Sequence, residues 1–194
     1  MTMVQWWCGL QRFCEELGRK LVEEGFNIVS GVGKGVGAEL LVGAHQALGR
    51  PGSGSISSRL RLFPFPYWHS DEKERTIYFL ANRAEMAAQA GVSIFISGNK
   101  RATTGSVVES SGVMAEFEEA KKNGHVIVPI GATGHAAKRI WDEVTTDQSK
   151  FFPNLNVAAQ LNVLGDGKAS IEQLLGAVFS ILNAVRTGAP TANR

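Results

Sequence analysis

The sequence predicts an α/β protein with a mostly parallel sheet and helices on both of its faces. Two observations carry this. Short apolar runs alternate with segments of helical periodicity along the chain. Three of those runs end in glycine-bearing turns, at Ser30-Gly31, Ser97-Gly98 and Ile130-Gly131. Ligands of parallel sheets sit beyond the carboxyl ends of the strands, so three such turns on one edge define an expected site.

The first helix is expected from Gln11 to Glu24, with Leu10, Phe13, Cys14, Leu17 and Leu21 at helical spacing and Gly25 as its stop. Residues 1–8 give at most a very short strand, and Trp6 and Trp7 read as buried or interface aromatics. Phe26 to Ser30 is the next strand. Gly31, Gly33, Gly35 and Gly37 follow it within seven residues, and a helix from Ala38 to Leu48 comes after them. Glycines let backbone N–H groups crowd a phosphate, and a helix N-terminus adds favourable partial charge. Gly49 to Ser58 is a turn, Arg59 to Phe63 a short strand, and Pro64 and Pro66 hold the following segment extended.

Ser70 and Asp71 can cap a helix from Glu72 to Ala90, whose expected inner face is Ile77, Leu80, Ala84, Ala87 and Ala88. Val92 to Gly98 is a buried strand, and Asn99 to Ser106 reads as a loop. A helix from Ser110 or Ser111 turns Met114, Phe117 and Ala120 inward. His125 to Ile130 is the next strand, with a helix after Gly134 to about Val144. Past a mixed segment with Phe151, Phe152 and Pro153, the last helix uses Ile171, Leu174, Leu175, Val178, Ile181, Leu182 and Val185. The tail after Thr187 reads as frayed.

Length and charge narrow the function classes. A chain of 194 residues, 44% of them hydrophobic, is expected to fold as a single domain. Its net charge of +2, with no Lys/Arg run longer than two residues, demands no nucleic-acid surface. No apolar run approaches ~18 residues, and Cys8 and Cys14 cannot staple the fold, so a cytoplasmic protein is expected. The histidines His45, His69, His125 and His135 lack metal-ligand spacing, and no nucleophile–base arrangement is legible, so neither a metal nor a cofactor is expected.

Gly33-x-Gly35-x-x-Ala38 fits a loose dinucleotide fingerprint, but Arg59 to Phe63 does not end in the acidic residue that would hold a ribose. Hydride transfer is therefore disfavoured. Arg83 and Glu116, each on a helix next to a strand-end turn, are the informative charged pair, and Lys100 follows Gly98-Asn99 where a phosphate would be met. Guanidinium and ammonium groups pair with a pyrophosphate, and a carboxylate accepts from ribose hydroxyls.

These residues carry a resemblance. Leu17-Gly18-Arg19-Lys20-Leu21, Ile28 to Gly31, the Gly33 to Ala44 loop and helix, Asn82-Arg83, Gln89 to Phe95, Gly98-Asn99-Lys100, Gly112 to Phe117 and Pro129 to Gly134 together resemble the SLOG domain of the Thoeris antiphage effectors. In that family a SLOG domain is joined to a sirtuin-like NADase. The resemblance implies a Rossmann-like three-layer sandwich and a non-catalytic sensor of a cyclic ADP-ribose isomer made by a TIR-domain protein, with ligand binding regulating the NADase. It implies ligand contacts at Ser30, Gly31, Gly33, Lys34, Gly35, Arg83, Gly98, Asn99, Lys100, Gly112, Glu116 and Gly131. The partners it implies are the NADase domain in cis and further copies of the chain, with no membrane and no nucleic acid.

Three departures accompany the resemblance. The sequence contains no sirtuin-like domain, so it is either a part of a larger effector or a free-standing sensor. Residues 1–9 lack the strand and Ser-Gly turn with which the family's domain begins. Phosphoribohydrolases of the wider superfamily carry Pro-Gly-Gly-x-Gly-Thr-x-x-Glu, where this chain reads Glu109-Ser110-Ser111-Gly112-Val113-Met114-Ala115-Glu116. Gly112 and Glu116 are kept, the double glycine and threonine are not. The alternative functions are that nucleoside-monophosphate hydrolysis, with Arg83 and Glu116 as catalytic residues, or DNA binding as in another branch.

Overall fold

The computed structural model describes residues 3–33, 36–50, 52, 54–66, 68 and 70–188, with side chains from Cys8 onward. They form a mixed α/β protein of two compact units, Met1–Ala90 and Gly91–Arg194.

In the first unit, α1 (Met3–Glu23) leads to β1 (Ile28–Ser30), α2 (Val36–Leu48), a single turn α3 (Ile56–Arg59), β2 (Leu60–Leu62) and α4 (Glu72–Ala87). The strands pair in parallel, Ile28 opposite Leu60 and Ser30 opposite Leu62. Leu10, Phe13, Cys14, Leu17, Leu21 and Val22 of α1 are buried, as are Ala44, Ala47 and Leu48 of α2. Burial of each large side chain contributes roughly 1.5–3 kcal/mol. The two helices approach closely because Gly18 and Gly43 each face the other helix's backbone. Arg59 caps the end of α1, its Nη2 donating to the Val22 carbonyl at 3.0 Å and the Phe26 carbonyl at 2.7 Å.

Two expectations for this unit are corrected. Residues 3–8, expected to be at most a short strand, are the opening of α1, because a lone glycine at position 9 does not break a helix whose periodic face is already established. On α4, Ile77 is 65% and Leu80 is 60% exposed, and of the expected inner face only Ala87 is buried. The face that packs is the one bearing Phe79 and Arg83, which meet Phe65. Asp71 does cap the helix, accepting from the N–H groups of Lys73 and Glu74 at 2.8 and 2.9 Å. The expectations for Trp6 and Trp7 fall on side chains outside the described residues.

In the second unit, β3 (Val92–Ile96) is followed by β4 (Asn99–Arg101), β5 (Val107–Glu109), α5 (Ser111–Lys122), β6 (Val126–Ile130), a 3-10 turn (Gly131–Thr133), α6 (His135–Thr146), α7 (Gln148–Phe151), α8 (Ala158–Gly165) and α9 (Ile171–Gly188). Strands β3 and β6 pair in parallel from Val92 opposite Val126 to Ile96 opposite Ile130. The core lies on this pair. Ile127, Val128 and Ile130 are fully buried with Ile140, Val144, Leu161, Leu164, Val178 and Ile181 from α6, α8 and α9. Phe117 meets Phe95 edge-on at 5.7 Å and Phe151 stacked at 6.2 Å.

The segment expected as a loop from Asn99 to Ser106 is instead the start of an antiparallel hairpin, β4 with β5, in which Asn99 opposes Glu109 and Arg101 opposes Val107. Its strands are mostly polar and exposed, so no alternation marks them in the sequence. The mixed segment after residue 146 resolves into α7 and α8, with Phe151 and Phe152 buried. The tail from residue 189 lies outside the described residues.

Candidate functional site

The first unit carries the glycine turn and Arg83. β1 ends at Ser30, whose Oγ accepts from the Val32 N–H at 3.1 Å, and Val32 takes a left-handed φ of 52°. The side chain thus closes a tight turn at the strand end. The Ser30 carbonyl accepts from the Phe63 N–H at 2.8 Å, which ties the segment after β2 to this turn. Gly33 is exposed with open space around it, and its carbonyl accepts from the Gly37 N–H at 3.1 Å as α2 begins. Lys34 and Gly35 lie outside the described residues.

Phe65 joins the turn to Arg83. A Cβ on Gly31 would stand 2.6 Å from the Phe65 ring, so the ring lies against that glycine. The guanidinium carbon of Arg83 is 5.1 Å from the centroid of the same ring and 5.5 Å from that of Phe79. Asn82, next to Arg83 on α4, donates from Nδ2 to the Phe63 carbonyl at 2.8 Å. The structure therefore brings Gly31 and Arg83 together around one aromatic side chain, and ties Ser30 to the segment that carries it. Sequence reasoning singled out the three and missed Phe65. The signal was there in the Phe63-Pro64-Phe65-Pro66 segment, whose prolines fix the backbone that presents the ring.

The second unit carries Gly98, Asn99, Lys100, Gly112, Glu116 and Gly131. β3 and β6 run parallel, so the Ser97-Gly98 and Ile130-Gly131 turns lie at one edge. The Ser97 N–H donates to Thr133 Oγ1 at 2.7 Å, and Thr133 Oγ1 donates to the Ile130 carbonyl at 2.6 Å. The Ser97 carbonyl accepts from the Ala137 N–H in the first turn of α6, and the Gly98 carbonyl from the Ser110 N–H at the start of α5. Gly98 has a φ of +84°, and a Cβ there would meet Ala136 at 2.8 Å and Val113 at 3.1 Å, so both geometry and space require glycine.

Lys100 reaches the start of α5, its Nζ donating to Ser111 Oγ at 2.9 Å. Gly112 is the next residue, and Glu116 lies one turn further on the same face of α5. Asn99 Nδ2 is 3.2 Å from His135 Nε2 at the start of α6, which brings in a histidine that lacked any spacing signal. Gly131 is buried with its Cα against Trp141, where a Cβ would approach ring atoms to 2.7 Å. An ammonium group beside the N-terminus of a helix is an arrangement suited to an anion. Among the described residues no group of three or more His, Cys, Asp and Glu is placed to hold a metal.

Comparison with known proteins adds the identity of the fold. Residues 8–185 match the Sir2- and TIR-associating SLOG family. The chain belongs to that family. Proteins similar to this SLOG chain include the NAD(+) hydrolase ThsA of Cytobacillus dafuensis, 31% identical over 179 residues and 92% of this chain. The NAD(+) hydrolase ThsA of Bacillus cereus (strain MSX-D12) is 32% identical over 174 residues and 89% of this chain. A third, from Acinetobacter baumannii (strain 532279), is 31% identical over 147 residues. The SLOG chain spans 36% of the length of each of the first two relatives. Among the described residues, no helix is long and apolar enough to cross a membrane.

Proposed function

We propose that this SLOG chain is a nucleotide-signal sensor that binds a cyclic ADP-ribose isomer made by a TIR-domain protein. In this reading it catalyses nothing itself, and binding switches an attached sirtuin-like NADase in antiphage defence. Membership of the Sir2- and TIR-associating SLOG family over residues 8–185 is the observation that carries the reading. The relatives named NAD(+) hydrolase, of which the chain spans 36%, support an NADase in cis. The proposed ligand contacts are Ser30, Gly31, Gly33, Lys34, Gly35 and Arg83 in the first unit, and Gly98, Asn99, Lys100, Gly112, Glu116 and Gly131 in the second. A compact cyclic nucleotide suits short turns and fixed cations in place of an extended groove. The reading also has the whole chain act as one binding domain, in the cytoplasm and as a homo-oligomer.

Thermal unfolding with cyclic ADP-ribose isomers, linear ADP-ribose and NAD tests this. A cognate isomer at ~100 times its dissociation constant adds roughly 2.7 kcal/mol of apparent stability, and the linear compounds add less. A folded sample that responds to no cyclic isomer would refute the sensor reading.

A further inference from the structure

We infer that Phe65 is a positioning residue, whose ring holds the guanidinium of Arg83 in place before any ligand arrives. The inference rests on the ligand reading above for its consequence and on geometry for its substance. Arg83 lies 5.1 Å from the Phe65 centroid and 5.5 Å from that of Phe79. The two rings meet each other edge-to-face at 5.2 Å and 75°. A guanidinium over an aromatic face is attracted by the ring quadrupole, the more so where water is partly excluded.

The ring is itself held from several directions. Phe65 is only 6% exposed, its neighbours Pro64 and Pro66 restrict the backbone, and its ring abuts Gly31 through Cε2 and Cδ2. Phe63, two residues earlier, is bonded through its N–H to Ser30 and through its carbonyl to Asn82. The segment is thus pinned both to the strand-end turn and to the residue preceding Arg83. An arginine side chain has considerable rotamer entropy to lose on binding. A ring that has already restricted it reduces what the ligand must supply. Phe65 needs no ligand contact of its own for this.

The test replaces Phe65 by Leu, and separately by phenylalanine carrying one, two or three fluorines, which preserve ring shape while weakening its face. In a crystal structure of unliganded Phe65→Leu, the Arg83 guanidinium is expected to have left its position over residue 65. If Phe65→Leu fails to fold, the trifluorinated variant is used for the same observation. Affinity for the cyclic ADP-ribose isomer is expected to fall with each added fluorine, to about five-fold weaker at three, while the unliganded melting temperature drops by no more than it does in Arg83→Ala. An unmoved guanidinium, or an affinity independent of fluorination, overturns the inference and assigns Phe65 to packing alone. Wild-type protein that binds no cyclic isomer overturns the ligand reading instead, and the place of Arg83 in the variant then decides the role of Phe65 by itself.

Discussion

Gly18 of α1 and Gly43 of α2 form a reciprocal contact in which each glycine faces the backbone of the other helix. A Cβ on Gly18 would stand 1.9 Å from the Leu40 carbonyl oxygen, and one on Gly43 would stand 1.8 Å from that of Glu15. Leu40 lies one turn before Gly43, and Glu15 one turn before Gly18, so the two contacts lock one crossing point. Backbone cannot yield there as a flexible side chain could.

Gly18→Ala and Gly43→Ala should each destabilise the protein by about 3 kcal/mol or more in urea unfolding. Gly9→Ala and Gly176→Ala are the controls, since among the described residues nothing lies within 4 Å of a Cβ at either helical position. They should be neutral or stabilising by up to about 1 kcal/mol, the helix-propensity difference between the residues. Equal behaviour of the two pairs would mean that the helices do not cross as described.

Much of the second unit was legible because its apolar runs are short, continuous and bounded. Val92 to Ile96 and Val126 to Ile130 read as strands and are strands, the second largely buried and the first buried at Phe95 only, and Ser110 ahead of Phe117 opens a packed helix. The hairpin was not legible, because Asn99-Lys100-Arg101 offers no buried side chain to set a two-residue period. Helix α4 misled for a different reason. It carries apolar residues on two faces, Ile77 and Leu80 on one and Phe79 and Met86 on another, and periodicity alone cannot choose between them. Phe65 chose, by pairing with Phe79. At the candidate site, the glycine turns could be read from residue types, whereas Asn99 beside His135 is a contact 36 residues apart that no local pattern encodes.

The correction on α4 makes its own prediction. Ile77→Ser and Leu80→Ser should each change stability by less than about 0.5 kcal/mol, as exposed substitutions do. Phe117→Ala, at a fully buried position, should cost about 3–5 kcal/mol. Asp71→Ala should cost about 1 kcal/mol through loss of its two cap hydrogen bonds. A loss at Leu80 approaching that at Phe117 would restore the face that the periodicity suggested.

The two cysteines should behave as opposites. Cys8 is exposed and Cys14 buried. Burial, and secondarily the Glu39 charge, pushes the Cys14 thiol from 9.0 up to about 12. A thiol reagent at about pH 8 should modify Cys8 promptly and Cys14 only after unfolding. Because the folded protein holds the Cys14 proton more tightly than the unfolded chain, the resulting stability is complete below 9.0 and declines as pH rises towards 12. Relative to Cys14→Ala, wild type should lose stability steadily across that window, on the order of 1 kcal/mol per pH unit. A flat difference would show that the thiol is not shielded.

The sharpest prediction for function separates binding from folding at Arg83 and Lys100. Arg83 is half-buried over two rings, so Arg83→Ala should cost about 1 kcal/mol of unliganded stability through the lost cation–π contact. Lys100 is exposed, and Lys100→Ala gives up one hydrogen bond to Ser111, so it should cost less. On the proposed sensor reading, both variants should nonetheless lose the stabilisation by a cyclic ADP-ribose isomer, since each removes a cation proposed to pair with the ligand's phosphates. Glu116→Gln keeps the size of the side chain and removes its charge. In a sensor it should weaken binding, and neither it nor wild type should release free base from adenosine monophosphate. Base release by wild type that disappears in Glu116→Gln would instead make Glu116 an acid/base group near a ribose and the chain a hydrolase. Calorimetric titration of the three variants, with melting temperatures measured on the same samples, distinguishes these outcomes. Ligand response lost in proportion to fold stability would mean that Arg83 and Lys100 hold the protein together and do not hold its ligand.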